Sequence, residues 1–251
     1  MISAVSIADL EKARSEYYGK LASYFLEQIN LRSIRTILEA GSGRGQLTIP
    51  LIDKLPRRIR LIAMDSSTGP YQGSFEVLVS KLHSGHQQSR VHHLPSDVRR
   101  IKGVADNSVD VVISNELLCD LKSETQILKA FREFHRVLRP KGIMVHGEWT
   151  SIPDNEAQRI TIRADGPEGT DTPSRFWNPD ELSSLMRATG FQQVCAGYFE
   201  TSMSLGYEAA VRELQNWGVR RAFLKRNDRL LRRYGIQLPF EHVIRCQKQS
   251  C

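Results

Sequence analysis

The run Thr36-Ile37-Leu38-Glu39-Ala40-Gly41-Ser42-Gly43-Arg44-Gly45 ends an apolar stretch with a carboxylate two positions ahead of a G-x-G-x-G loop. Twenty positions beyond Gly45, a second apolar run, Leu61-Ile62-Ala63-Met64, ends in Asp65. Glycines let a backbone adopt positive φ and approach a ligand closely, and the helix after such a loop directs its N-terminus at that ligand. An acid after the second strand is placed to accept hydrogen bonds from ribose hydroxyls. This is the layout of a βαβ nucleotide site.

The glycine spacing narrows the nucleotide. A dinucleotide fingerprint requires G-x-G-x-x-G, whose third glycine permits close helix packing. Here the third glycine comes one position early, and Gln46 stands where Gly or Ala is needed. Glu39 would also repel a pyrophosphate. A ligand with ribose, adenine and a positively charged amino-acid end suits this combination better than NAD.

With E-x-G-x-G-x-G followed by a strand ending in Asp65, the chain resembles the class I S-adenosylmethionine-dependent methyltransferase superfamily. Later segments match in the same order. Leu94-Pro95-Ser96-Asp97-Val98 resembles the adenine-reading motif, Asp110-Val111-Val112-Ile113-Ser114-Asn115 the fourth strand, and Phe134-His135-Arg136-Val137-Leu138-Arg139-Pro140-Lys141-Gly142 the entry to the fifth. The resemblance covers residues 32–202 and the C-terminal strand. It implies a Rossmann-like α/β fold: a mainly parallel seven-stranded sheet with helices on both faces, the last strand antiparallel, plus a helical cap. It implies S-adenosylmethionine as methyl donor, S-adenosylhomocysteine as product, and a cofactor site of Glu39, Gly41, Gly43, Gly45, Asp65, Ser66, Asp97, Val98 and Asn115. Asp97 would accept from the adenine amino group, and the Val98 amide would donate to the ring.

Methyl transfer is an in-line displacement that depends mostly on holding donor and acceptor aligned, about 3–3.5 Å apart. The candidate residues follow the fourth strand, in Asn115-Glu116-Leu117-Leu118-Cys119-Asp120. The [ND]-P-P-[YFW] tetrad of members that modify nucleic-acid bases or glutamine amides is absent, and Cys119-Asp120 stands where small-molecule members often have a His pair. Glu116 is the candidate catalytic group, a carboxylate able to orient a cationic amine or take its proton. Its alternative is a polar loop residue near a helix N-terminus. The segment loosely resembles the first acid of the paired-glutamate loop of protein arginine methyltransferases, but Glu124, the second acid, has the wrong spacing. Tyr17, Tyr18, Glu148 and Trp149 are candidate substrate contacts, with core packing as the alternative for the aromatics. The seven histidines show no ligand spacing with carboxylates, so no metal site is expected.

Leu10, Ala13, Tyr17, Leu21, Tyr24, Phe25 and Ile29 are spaced for an amphipathic helix or helix pair over 8–29. Strands read at 36–41, 60–65, 90–94, 109–114, 142–149, 192–201 and 241–248. Ser123 and Asn178 open helices as caps. Pro50 should delay or bend the helix after the glycine loop, and 151–177 reads as a long loop. The organisation is a helical cap over 1–30, a core over 31–202, a helical insert over 203–239 and a last strand over 240–251. The resemblance places both ends of the insert on the ligand rim, as a lid that excludes water.

The chain has 251 residues and a net charge of +7, and the insert holds seven cations: Arg220, Arg221, Lys225, Arg226, Arg229, Arg232 and Arg233. They form either a solvated helix face or a surface for an anionic partner such as RNA. Sparse aromatics argue against a stacking platform. No apolar run reaches membrane-spanning length, so no membrane partner is expected. Cys119, Cys195, Cys246 and Cys251 form no C-x-x-C pair, which suits a reducing cytoplasm. Small-molecule methylation is the leading expectation. The alternatives are methylation of a protein side chain through Glu116, methylation of RNA through the basic helix, and a non-catalytic cofactor-binding scaffold. The sequence leaves the oligomeric state open.

Overall fold

The computed structural model describes residues 4–66, 73–85 and 87–249; His86 and Cys251 lie outside them. Seven strands form the main sheet in the order β3-β2-β1-β4-β5-β9-β6. They are β1 (Thr36–Ala40), β2 (Arg60–Asp65), β3 (Val91–Pro95), β4 (Val109–Asn115), β5 (Leu138–Trp149), β6 (Phe191–Phe199) and β9 (Glu241–Lys248). Strands β1 to β5 pair in parallel, and β9 runs antiparallel to both β5 and β6. The continuous Val, Ile and Leu runs of β1, β2 and β4 follow from burial on both faces.

Alternation along the strands divides the core into two layers. Ile37, Val111, Val145 and Val243 face α1 (Ala4–Glu27), α2 (Thr48–Lys54) and α3 (Ser74–Ser84). Leu38, Val112, Met144 and Ile244 face α4 (Glu124–Val137) and α6 (Pro179–Ala188). Ser123 caps α4 by accepting from the Gln126 N–H, and Asn178 caps α6 from the Asp180 N–H, with Pro179 in the first turn.

Three local expectations change. Pro50 does not delay α2, which starts at Thr48; the proline falls in the first turn, where its missing N–H has no intrahelical partner to lose. Strand β5 begins at Leu138, because Leu138 pairs with Val109 before the register shifts. Segment 151–177 contains a helix, α5 (Glu156–Asp165), capped by Asn155 and burying Ile160 and Ala164.

The insert lies on the rim at the C-terminal ends of the parallel strands. The chain leaves β6 at Phe199 and re-enters the sheet at Glu241, which pairs with both Phe199 and Trp149. Between them run β7 (Ser204–Leu205), α7 (Tyr207–Asn216), α8 (Arg221–Arg226), α9 (Asp228–Tyr234) and β8 (Ile236–Gln237), with β7 and β8 antiparallel to each other. Arg14 of α1 is ion-paired to Glu213 of α7, and the Trp149 and Trp217 rings lie 5.6 Å apart. No described helix is long and apolar enough to cross a membrane.

Candidate active site

The glycine loop is built by hydrogen bonds to β2. The Gly41 and Ser42 N–H groups donate to the Met64 carbonyl, and the Gly45 N–H donates to Ser42 O at 2.8 Å. The Gly43 N–H donates to Asp65 Oδ2 at 2.5 Å, and the Ser66 N–H to Asp65 Oδ1 at 2.6 Å. Burial raises the Asp65 carboxyl, while these two amides pull it back. All three loop glycines have positive φ. A Cβ on Gly43 would meet only Asp65 Oδ2, at 3.9 Å, so this side of the loop is open.

Glu39 stands behind the loop, 2% exposed. Burial pushes its carboxyl up to about 8, opposed by the Thr48 hydroxyl. Glu39 Oε2 and Ser42 Oγ are buried without a hydrogen-bond partner. Buried polar atoms are ordinarily paired. Two orphans beside an open loop therefore fit a ligand that brings donors, such as the ammonium end of an amino acid.

Asp97 and Val98 follow β3. Asp97 is bound by its neighbour: the Arg99 guanidinium donates to both carboxylate oxygens, at 2.5 to 3.1 Å, and holds the group below the usual carboxylate range. That pair is solvent-exposed, where such bridges contribute little and are readily exchanged for a ligand donor. The Val98 side chain is buried in the α4–α6 layer.

The loop after β4 abuts the glycine loop, since a Cβ on Gly41 would lie 3.0 Å from Leu117 Cδ1. Glu116 is held at φ +47°, a left-handed conformation that non-glycine residues adopt at a cost of about 1–3 kcal/mol, usually at functional sites. Its N–H donates to Gly147 O. Burial and the charges of Glu241 and Glu148 raise its carboxyl well above the ordinary value.

The structure separates Glu148 from Trp149. Trp149 faces α1 and α7, whereas Glu148 points into the opposite layer, as alternation requires. Glu148 Oε1 accepts from the Leu118 and Cys119 N–H groups at 2.6 and 3.1 Å and lies 3.3 Å from His146 Nε2. Its carboxylate fixes the backbone that carries Glu116. It does not face the same space as Trp149.

Tyr17 and Tyr18 are buried side chains of α1, and the Tyr17 hydroxyl donates to Glu241 Oε1 at 2.5 Å. Glu241 and Glu213 are buried and Asp165 half-buried, three carboxylates that belong to no motif of the sequence. Burial raises Glu241 to about 8 and Asp165 to about 6. The only sequence signal for Glu241 is its place at the start of the last strand. Among the described residues, no cluster of histidine, cysteine and carboxylate side chains could hold a metal ion.

Residues 38–146 match the family model described as a methyltransferase domain. An uncharacterized methyltransferase of Schizosaccharomyces pombe is 30% identical over 140 residues, which cover 54% of this chain and 47% of that protein. The chain thus spans about half the length of this relative. Among solved structures, the YcgJ protein of Bacillus subtilis superposes with a TM-score of 0.66 at 13% identity, over 92% of this chain and 98% of that one. Phosphoethanolamine N-methyltransferase 2 of Haemonchus contortus, in complex with phosphomonomethylethanolamine and S-adenosylhomocysteine, gives 0.59 at 13% identity, over 92% and 53%. The cyclase SpnF gives 0.62 at 16% identity, over 93% and 82%. At these identities the likeness establishes the fold, and a cyclase among the neighbours illustrates that fold alone does not fix the reaction. Loop spacing, strand order and the matched segment agree: residues 38–146 are similar to a methyltransferase domain, and the chain has the Rossmann-like fold of these solved neighbours.

Proposed function

We propose that this protein is an S-adenosylmethionine-dependent methyltransferase whose acceptor is a small molecule enclosed between the strand rim, α1 and the insert. In this reading Glu39 and the Gly41–Gly45 backbone hold the amino-acid end of the cofactor, Asp65 and Ser66 the ribose, Asp97 and Val98 the adenine, and Asn115 borders the sulfonium. Bound there, the cofactor supplies a methyl group activated on positively charged sulfur. Glu116, Tyr17, Tyr18 and Trp149 line the acceptor space, and Glu148 positions the Glu116 loop.

One observation carries the small-molecule assignment. The polar groups on the rim are roofed: Glu241 is 0% exposed, and Tyr17, on the inner face of α1, is 2% exposed and donates to it. A folded protein or an RNA cannot reach them without displacing α1, whereas a small molecule needs only a lid motion. The insert's seven cations are all exposed, with Phe223 and Leu231 buried beneath them, as in a solvated helix face. A scaffold role is disfavoured because Glu39, the loop glycines, Asp65 and Asp97 are all in place. Cys119, Cys195 and Cys246 are unpaired, in keeping with a reducing cytoplasm.

Calorimetry tests the cofactor assignment. S-adenosylhomocysteine should bind and NAD should not, and Asp65→Ala should abolish the binding. Tight NAD binding without S-adenosylhomocysteine binding would overturn it.

A further inference from the structure

We infer that Arg99 sets how strongly the cofactor site selects a 6-aminopurine, because its guanidinium already holds the carboxylate that would receive the amino group. The inference rests on the cofactor reading above and adds a specificity-determining residue to it.

The loop after β3 fixes Asp97 beside the end of β2. The Ser96 N–H donates to Asp65 O at 2.9 Å, and the Arg100 N–H closes the turn on Asp97 O at 3.0 Å. Ser96 Oγ accepts from the Lys102 N–H at 2.8 Å, and the Ile101 N–H donates to Glu133 Oε2 at 2.6 Å. Glu133 is in turn held by Arg136. The backbone on both sides of Asp97 is thus tied to the domain. The exposed Arg99 side chain is the part able to move.

The Asp97 carboxylate has no acceptor position left. An ionised carboxylate offers about four lone-pair sites. Asp97 Oδ1 accepts from the Arg99 backbone N–H at 2.8 Å and from Arg99 Nε at 2.9 Å, and Oδ2 accepts from Nε at 3.1 Å and Nη2 at 2.5 Å. A purine amino group therefore reaches Asp97 only when the guanidinium leaves. Departure costs little, since the two side chains are 41% and 40% exposed and water replaces the lost partner. Among the described residues, Asp97 has no ion pair with Arg100 or Lys102, the other exposed cations of this loop.

A competitor of this kind acts on one feature of the ligand. A purine without the amino group leaves the pair intact. A purine bearing it must replace the pair, so part of its hydrogen-bond energy offsets the lost ion pair. The Arg99 backbone N–H keeps its place on Oδ1, and Oδ2 is the atom exchanged. A displaced guanidinium can stack on the ring, because its plane matches an aromatic face. Stacking favours both purines alike, so the ratio of their affinities isolates the competition.

S-adenosylhomocysteine and its 6-deamino analogue, with hydrogen in place of the amino group, are titrated calorimetrically into the full chain. The ratio of their affinities should rise about 3- to 5-fold in Arg99→Ala, the scale of an exposed bidentate pair. Arg99→Lys keeps the charge without the planar fork and should fall between. In an Asp97→Ala background, Arg99→Ala should leave the ratio unchanged, which a merely structural role for Arg99 does not predict. Raising salt from about 0.05 to 1 M screens the pair, so the wild-type ratio should climb while that of Arg99→Ala stays flat. An equal or smaller ratio in Arg99→Ala, the same rise without Asp97, or a salt-independent wild-type ratio overturns the inference while the cofactor reading stands. Failure of S-adenosylhomocysteine to bind the wild type overturns both.

Discussion

At Gly45 two requirements coincide: φ is +77°, and a Cβ would lie 2.5 Å from Leu78 Cδ1. Gly45→Ala must therefore strain the backbone and push aside the buried Leu78 side chain of α3, and should cost about 1–3 kcal/mol of stability. Gly43 has the backbone requirement without the clash. Gly43→Ala should keep the melting temperature closer to wild type and lose cofactor affinity instead. Equal melting losses in the two variants would argue against an open ligand side at Gly43. Glu39 and Glu241 make a second prediction at this scale. Each carboxyl, normally near 4.5, is raised to about 8 in the folded chain. Folding therefore favours their protonated forms, and this contribution is complete below about 4.5 and lost as pH rises through about 8. His242, lowered from 6.5 to about 4, acts in the opposite direction, but only below about 6.5. Between about pH 6.5 and 8 the ligand-free melting temperature should fall, and Glu39→Gln or Glu241→Gln should flatten that fall. A flat wild-type profile across this window would contradict the burial of both acids. Glu39 and Asp65 were legible in the sequence because their roles depend on spacing from a glycine loop. Glu241 was not, because it meets Tyr17 only through an antiparallel strand 224 positions away.

Among the elements, α1 and α7 form the roof, joined by Arg14 and Glu213 and by the contact of Trp217 with Trp149. Glu213 is 2% exposed, so Arg14→Ala would leave a buried carboxylate without its cation, a change that costs about 3–5 kcal/mol in buried pairs. The loss should be local. Hydrogen exchange of residues 207–216 should accelerate, while β1 and β4 stay protected. Uniform acceleration across the sheet would show that α7 unfolds only with the whole domain. Trp217→Ala should loosen the same helix more weakly. The elements were read best where periodicity or a cap announced them, as in α1, α4 and α6. Helix α5 was hidden because Asp, Gly, Pro and Thr crowd its flanks, and its own apolar residues are few. Its stability comes from tertiary contacts instead: Gln158 and Thr161 donate to the Leu238 and Gln237 carbonyls of the insert. Such contacts leave no mark on local sequence. Strand order was inferred through the family resemblance; the alternation alone predicted no more than a parallel sheet.

Across the whole molecule, charge is segregated. The rim holds buried Glu213 and Glu241 and half-buried Glu116, while the outer side of the insert carries the seven exposed cations. Several of these are already engaged. Arg220 pairs with Asp171, and Arg232 pairs with Asp228 and stacks 4.1 Å over Tyr207. Arg226, Arg229 and Arg233 remain the simplest cations to reverse without disturbing those contacts. If RNA were the acceptor, their clustered charge would supply counterion release, and activity would fall steeply with salt. The roofed rim predicts the opposite. Reversing all three to Glu should leave S-adenosylhomocysteine affinity and small-molecule methylation unchanged, because screened charges on the outer face act weakly on a buried centre. The expected salt dependence is shallow for wild type and triple variant alike. The decisive measurement is incorporation of tritiated methyl into total RNA by both proteins across a salt series. Labelling by the wild type that falls with salt and vanishes in the triple variant would place the acceptor on the basic face and refute the enclosed site.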